Sequence, residues 1–363
     1  MLSESKKKEL SFFDLYDKFL KDSTSGKRLQ PNGKKITEGT IANYTYTKKL
    51  LQKFCLEKKF ELRLRTIKTL TQRQMHTEKN YWAKFYKKFT EYLYNDCSCF
   101  DNYVGANIKN IRTFFGYLNK TLLLNVGDFH LQFYVRKEEI AIVTLLPEEL
   151  NFLIYDKAFE GSLDKKFKKV KDVFVFGCTV ALRFSDLLGL KKSNLRIVNN
   201  NWYLLVRSKK TSVDTQISLP DYAIEILKKY PKIKGGYLLP RYNITNLNIY
   251  VKQLTEKAGL THNIGKTRGR RGDNKVIAKD TDKKKATYRF CDLVTTHTMR
   301  RTAITTMLCL GMPEQLVRKI SGHSPMSKEF FRYVSLAQAY QDKETAMVFD
   351  KLRGRELAVN TNN

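Results

Sequence analysis

The sequence contains no uninterrupted apolar run approaching the roughly 18 to 20 residues that a membrane-spanning helix needs. Its first residues, MLSESKKKELSFF, lack the apolar centre of a secretory signal. Both absences point to a cytoplasmic protein with no membrane partner. Cysteines are few, and no two of Cys55, Cys97, Cys99, Cys178, Cys291 and Cys309 form a C-x-x-C pair. Cys97 and Cys99 have no histidine nearby and make a poor zinc site, so all six are expected as reduced thiols. Acid is scarce as well: 36 Asp and Glu face 67 Lys and Arg, a formal net charge of +31 over 363 residues. That excess is far beyond what solubility needs and sets up a field that attracts polyanions. Nucleic acid is the first candidate partner. A membrane surface and a merely solvated basic surface are the alternatives.

What is present divides into two parts, and the chain is long enough for two domains with separate cores. Phe12, Tyr16, Phe19 and Leu20 share one helical face, with Ser11 at the N-cap and Asp14 three residues on. A basic, period-free stretch, 23–40, is expected as a flexible loop. Three further stripes follow: Ile41, Tyr44, Leu51 and Phe54; Trp82, Phe85, Phe89 and Leu93; and Val104, Ile108, Ile111, Phe115 and Leu118. The opposite faces carry Lys84, Lys87, Lys88, Lys109 and Arg112, which are expected to follow a phosphate backbone or simply to face water. The spacing thus predicts a helical domain over 1–125 and a linker over 126–143. A mainly α (α+β) domain is expected over 144–363, starting where Pro147 opens a helix.

In that second domain a helix through Phe167, Val170, Phe174 and Cys178 precedes three alternating segments, NLRIVNN, NWYLLVRS and VDTQISLP. These predict a small antiparallel sheet. Helical patterns resume at 221–230, at 247–258 and from His297. Between Lys266 and Lys285 nine basic residues stand against three acids, interrupted by Gly269 and Gly272. This stretch is expected to be a mobile loop. Lys266, Arg268, Arg270 and Arg271 within it are candidates for DNA contact, with a disordered insertion as the alternative.

Four distant segments carry cationic or proton-transferring residues: ALRFSDL, VRSKKTSV, HTMRRTA and SGHSPMSKEFFRYV. His297 and Arg300, three apart at a helix start, project to one side and can converge on a single phosphate, while Arg301 points elsewhere. Arg183 follows the apolar VFVFGCTVAL, which implies a rigidly held arginine, and Asp186 is placed to orient it. A fixed guanidinium recognises phosphate in a bidentate manner and stabilises a pentacoordinate transition state. A structural salt bridge is the plain alternative.

Together these segments resemble the tyrosine recombinases of the phage-integrase family, in particular those of Bacteroidetes-type mobile elements. The family pattern is an arginine in a T-G-L-R-x-x-E/D setting, a hairpin lysine, an H-x-x-R pair, a G-H and a tyrosine. Here it corresponds to Arg183 in TVALRFSD, Lys210 in SKKT, His297 and Arg300 in HTMR, His323 in SGHS and Tyr333 in FFRYV. The resemblance implies attack by Tyr333 on a DNA phosphodiester, giving a 3′-phosphotyrosyl link and a free 5′-hydroxyl without metal, ATP or other cofactor. It further implies that Arg183 and Arg300 grip the nonbridging oxygens and that Lys210 protonates the leaving oxygen. His297 would serve as base or phosphate donor, and His323 as a further donor. The helical domain then resembles the family's core-binding clamp on double-stranded DNA. The implied assembly is a homotetramer on two recombination sites in the nucleoid, with accessory DNA-bending proteins as candidate partners, in integration or excision of a mobile element. The apolar tail positions Ala346, Phe349 and Leu352 would pack in cis or on a neighbouring protomer.

Three departures stand out. Ala181 replaces the usual glycine. Lys209 rivals Lys210, which is preferred because it directly precedes Thr211. Tyr333 follows His323 by ten positions, one more than the pattern expects, and Tyr340 is the rival nucleophile. A type IB topoisomerase and a non-catalytic DNA-binding regulator are the alternative functions. A nucleic-acid-coating protein using aromatic stacking is opposed by the periodicity of the aromatics.

Overall fold

The structure, a computed structural model, describes residues 10–208, 213–277 and 287–360. It divides into two compact units. The first runs to Ile140 and also takes in Thr267–Ile277; the second begins at Ala141, runs to Lys266 and resumes after Ile277.

In the first unit, β1 (Leu10–Ser11) leads into α1 (Phe12–Ser25), followed by α2 (Glu38–Lys58), β2 (Arg63–Leu64), α3 (Gln72–Asn95) and α4 (Asp101–Lys120). Local chemistry sets the ends. The Ser11 hydroxyl accepts the Asp14 amide at 3.3 Å, and α1 stops at Gly26, whose φ is 82°. Thr71 and Gln74 cap α3 reciprocally. The buried faces are largely aromatic: Tyr16, Phe19, Phe54, Trp82, Phe85, Phe89, Phe114 and Phe115 pack together. Trp82 meets Phe115 edge to face at 4.9 Å.

Two expectations are corrected here. The 23–40 stretch is no free loop: α1 continues to Ser25, Leu29 pairs with Lys35, and Arg28 lies 4.6 Å over the Phe19 ring. The expected linker, 126–143, is likewise mostly part of the first unit. Val126, Phe129 and Phe133 are buried in its core, and the Asn102 and Glu138 backbones and side chains bond to each other. Apolar residues without a helical period carry no periodic signal, so they read as linker while acting as core.

The second unit starts with α5 (Pro147–Tyr155), α6 (Lys157–Ser162), α7 (Lys165–Val180) and α8 (Phe184–Leu187). An antiparallel sheet of β3 (Leu195–Val198), β4 (Asn201–Arg207) and β5 (Asp214–Ser218) follows, with Leu204 opposite both Leu195 and Ile217. Then come α9 (Asp221–Lys228), α10 (Ile244–Lys257) and β6 (Asn263–Gly265). Buried Val173, Phe174, Phe176 and Val180 of α7 sit in the middle of the core, flanked by Leu204 and Ile217 from the sheet and Leu247, Val251 and Leu254 from α10.

After β6 the chain forms a hairpin, β7 (Thr267–Arg270) and β8 (Asp273–Val276), that completes the first unit. This replaces the expected mobile loop over those residues; 278–286 lie outside the described residues. The hairpin is held by carboxylates of the helical unit. Glu138 accepts from Arg268 Nε at 3.1 Å and Nη2 at 2.8 Å, and from the Gly269 amide. Asp101 accepts the Arg271 and Gly272 amides at 2.8 and 2.9 Å. A Cβ on Gly269 would lie 2.8 Å from Glu138 Cβ, so this close approach requires glycine. Burial would raise the Glu138 carboxyl, but Arg268 and the Gly269 amide outweigh it and hold the group below its ordinary value.

The second unit finishes with β9 (Thr287–Arg289), antiparallel to β6, and α11 (Phe290–Leu293), α12 (Thr296–Cys309), α13 (Glu314–Ser321) and α14 (Lys328–Asn360). Among the described residues no helix is long and apolar enough to cross a membrane.

Candidate active site

The second unit brings five of the six predicted catalytic residues onto three adjoining pieces of chain. The first is the exit from α7. Ala181 caps that helix in the left-handed conformation, φ 54°, which accounts for glycine being the usual residue there. The turn delivers Arg183 at the N-cap of α8, where its carbonyl accepts the amides of Asp186 and Leu187 at 2.9 and 2.8 Å. Its Nη1 donates to Ser208 Oγ at 3.0 Å, at the end of β4. Lys210 and its rival Lys209 lie outside the described residues, between β4 and β5 in sequence.

The second piece is the start of α12. The Thr296 amide, an orphan donor at a helix N-terminus, bonds to Asn248 Oδ1 at 2.8 Å. His297 is exposed in the first turn, and Arg300 is buried, 4% exposed, one turn on. Arg300 donates from Nη1 to the Ala181 carbonyl at 2.8 Å and from Nη2 to the Ser321 carbonyl at 2.7 Å. Both carbonyls end helices, α7 and α13, whose C-termini carry partial negative charge. A buried cation is thereby held by neutral dipoles.

The third piece runs from α13 into α14. Gly322, φ 64°, ends α13 and turns the chain so that the His323 amide reaches the Arg318 carbonyl at 3.0 Å. The His323 ring meets Arg300 Nη2 at 3.3 Å through Nε2, and Ser321 Oγ at 2.8 Å through Nδ1. Arg318 pins the next turn: its Nη1 donates to the Pro325 carbonyl at 3.2 Å, and its guanidinium lies 4.0 Å over Phe330. Tyr333, in the second turn of α14, is 1% exposed among Ala181, Ala303, Ile304, Leu308, Val317 and Phe330, its ring 6.0 Å from that of His323. The ten-residue interval is accommodated by the turn between Gly322 and Lys328. Tyr340, the rival, bonds through its hydroxyl to Glu148.

Electrostatically the cluster is a set of cations with few acids. Burial and then the Arg183 charge push Arg300 down to about 10, still protonated at neutral pH. His323 is pushed down to about 4, by burial first and then by Arg300, Arg183, Arg318 and His297. His297 is also lowered, by burial and by Arg301 and Arg300. Burial raises the Tyr333 phenol, while Arg301 and Arg300 pull the other way.

Two residues escaped the sequence reading. Ser208, which fixes Arg183, gave no signal by residue type. Arg301 faces Tyr333; its position directly after Arg300 was visible, but which helix it would meet was not. Of the DNA-contact candidates, Lys84, Lys87 and Lys88 are exposed on α3. Lys109 and Arg112 line an open cleft with Lys120 and Lys137. Lys266 lies 4.8 Å over the Tyr288 ring. Arg268, Arg270 and Arg271 bond to Glu138, the Tyr94 carbonyl and Asn95, so these three guanidinia are engaged within the protein.

Residues 164–339 match the phage integrase family. No curated protein sequence matches the chain. Among solved structures, the XerH site-specific recombinase bound to palindromic difH substrate is similar with a TM-score of 0.57 and 14% identity, over 85% of this chain and 80% of that one. The lambda integrase tetramer bound to a Holliday junction gives 0.58 and 16%, over 89% and 80%. The Tn1549 transposon integrase in complex with transposon right end DNA gives 0.53 and 14%, over 91% and 94%. At these identities the likeness establishes the fold, and the family match over 164–339 carries the activity. Residues 164–339 form a phage integrase family domain, and the chain is a site-specific recombinase of the tyrosine type.

Proposed function

We propose that the protein cuts and rejoins double-stranded DNA through a 3′-phosphotyrosyl link to Tyr333, in the integration or excision of a mobile element. The observation that carries this reading is Arg300: a buried cation whose guanidinium bonds to two carbonyls and a histidine, beside a buried tyrosine. Such a cluster, with only the nearby acids Asp186 and Glu329 against its cations among the described residues, is short of negative charge, and a scissile phosphate supplies it. Arg183 and Arg300 bind its nonbridging oxygens. His297, neutral at pH 7, takes the phenolic proton, and Lys210 gives a proton to the departing 5′-oxygen. The Tyr333 Oη–P bond forms as the P–O5′ bond breaks, and an incoming 5′-hydroxyl reverses the step.

Lys84, Lys87 and Lys88, with Lys109 and Arg112 along their cleft, are assigned to the duplex backbone. The family likeness favours a homotetramer on two sites within the nucleoid. The exposure of Val348 and Phe349 at 56% and 59%, beyond the part of α14 that packs on α12, supports docking of this tail on a neighbour. A nicked suicide duplex carrying the recombination site tests the chemistry. A covalent adduct is expected from wild type and from Tyr340→Phe and none from Tyr333→Phe; an adduct that survives Tyr333→Phe refutes the assignment. Joining of two separate duplexes then distinguishes recombination from relaxation alone.

A further inference from the structure

Arg300 and Arg301 are neighbours on α12 that face different ways, since each residue turns the helix by about 100°. Arg300 is committed to Ala181, Ser321 and His323. Arg301 lies beside Tyr333 of α14, the helix that packs along α12, and its Nε is buried with no hydrogen-bond partner among the described residues. A buried guanidinium donor without an acceptor is costly and seldom left so. Tyr333 is enclosed on this side by Ala303, Ile304 and Leu308 of the same helix. We propose that Arg301 donates to the Tyr333 oxygen as the phenolate forms, holding the nucleophile charged and aimed at phosphorus. The inference rests on Tyr333 being the nucleophile.

The groups around Tyr333 make this specific. From α12 come Arg301 and Arg300, from its own helix Glu329, and from the turn after α13 the His323 ring; Arg318 faces the adjacent Phe330. Burial raises the phenol; after it, Arg301 exerts the largest effect, opposed by Glu329 and reinforced by Arg300. Arg300 is already bonded to two carbonyls, whereas the Arg301 Nε has no acceptor among the described residues. Arg301 transfers no proton; it stabilises the charge left when the phenolic proton departs.

Single-turnover cleavage of the nicked suicide duplex between pH 5.5 and 10 separates the possibilities. For Arg301→Gln we expect cleavage at pH 7 slowed about tenfold or more, recovering as pH rises, with the profile displaced upward by about one pH unit. Arg301→Lys, which retains the charge, should keep the wild-type profile, and both variants should bind the duplex noncovalently as wild type does. An unshifted profile in Arg301→Gln overturns the proposal, as does a shift in Arg301→Lys equal to that in Arg301→Gln. Loss of duplex binding in step with cleavage overturns it as well, because that is the behaviour of a phosphate contact or a folding defect. Failure of the underlying reading is separately visible as an adduct in Tyr333→Phe.

Discussion

His323 is held neutral in the DNA-free protein, by burial first and then by the field of several cations. Its ring nitrogens meet Arg300 and Ser321 at hydrogen-bond range, and its pKa falls to about 4 from an ordinary 6.5. The folded value lies below the unfolded one. Between them the unfolded chain binds a proton that the native state refuses, so stability rises with pH. This contribution is complete above pH 6.5 and is lost as the pH falls toward 4. Urea unfolding of the free protein should therefore show a midpoint that drops between pH 6.5 and 5, and His323→Gln should remove part of that drop. An identical pH dependence in the variant would mean that the ring is not held neutral. A phosphate bound between Arg183 and Arg300, as proposed, would act in the opposite sense and favour the charged form of His323.

At the scale of elements, the site depends on how closely α7 and α12 approach. Gly177 on α7 makes room for Met299 of α12: an added Cβ would fall on Met299 Sδ and 3.0 Å from Leu187 Cδ2. Met299 lies between His297 and Arg300, so pushing it outward moves both. Gly177→Ala is expected to cost about 1–3 kcal/mol in chemical unfolding and to lower the cleavage rate by more than the loss of folded protein explains; a neutral effect on both would show that the helices have slack there. The helices carrying this packing were readable because Phe167, Val170, Phe174 and Cys178 repeat at helical spacing, and the three strands because their apolar residues alternate. The catalytic candidates were readable because residue type and order along the chain carry them. Three-dimensional partners were not. Nothing local in Ser208 announces Arg183, and the acids that bind the hairpin lie 130 and 170 residues upstream of it. The hairpin arginines therefore looked like a free basic arm.

For the molecule as a whole, the net charge of +31 dominates the encounter with DNA. Part of it is already committed: Arg268 is paired with Glu138 and Lys229 with Glu160 and Asp172. Lys84, Lys87 and Lys88, exposed on α3, are the lysines proposed to meet phosphate. If some 6–10 phosphates are neutralised, affinity should fall by about 10³–10⁵ between 50 and 200 mM salt, with log K linear in log salt. Fluorescence anisotropy with a labelled duplex measures that slope. Replacing Lys84, Lys87 and Lys88 together by Gln should flatten it by about three contacts' worth; an unchanged slope would place this face away from DNA.

The hairpin of Thr267–Ile277 also sets an order of events at the ribosome. The first unit is discontinuous in sequence, so its final strands are translated only after α5 to α10 of the second unit have emerged. Until then Glu138 and Asp101 lack the arginine side chain and backbone amides that hold them in the finished protein. The half of the protein that is made first is thus completed late. A polypeptide ending at the visible boundary near Ile140 contains every described helix of the first unit and still lacks one of its structural parts.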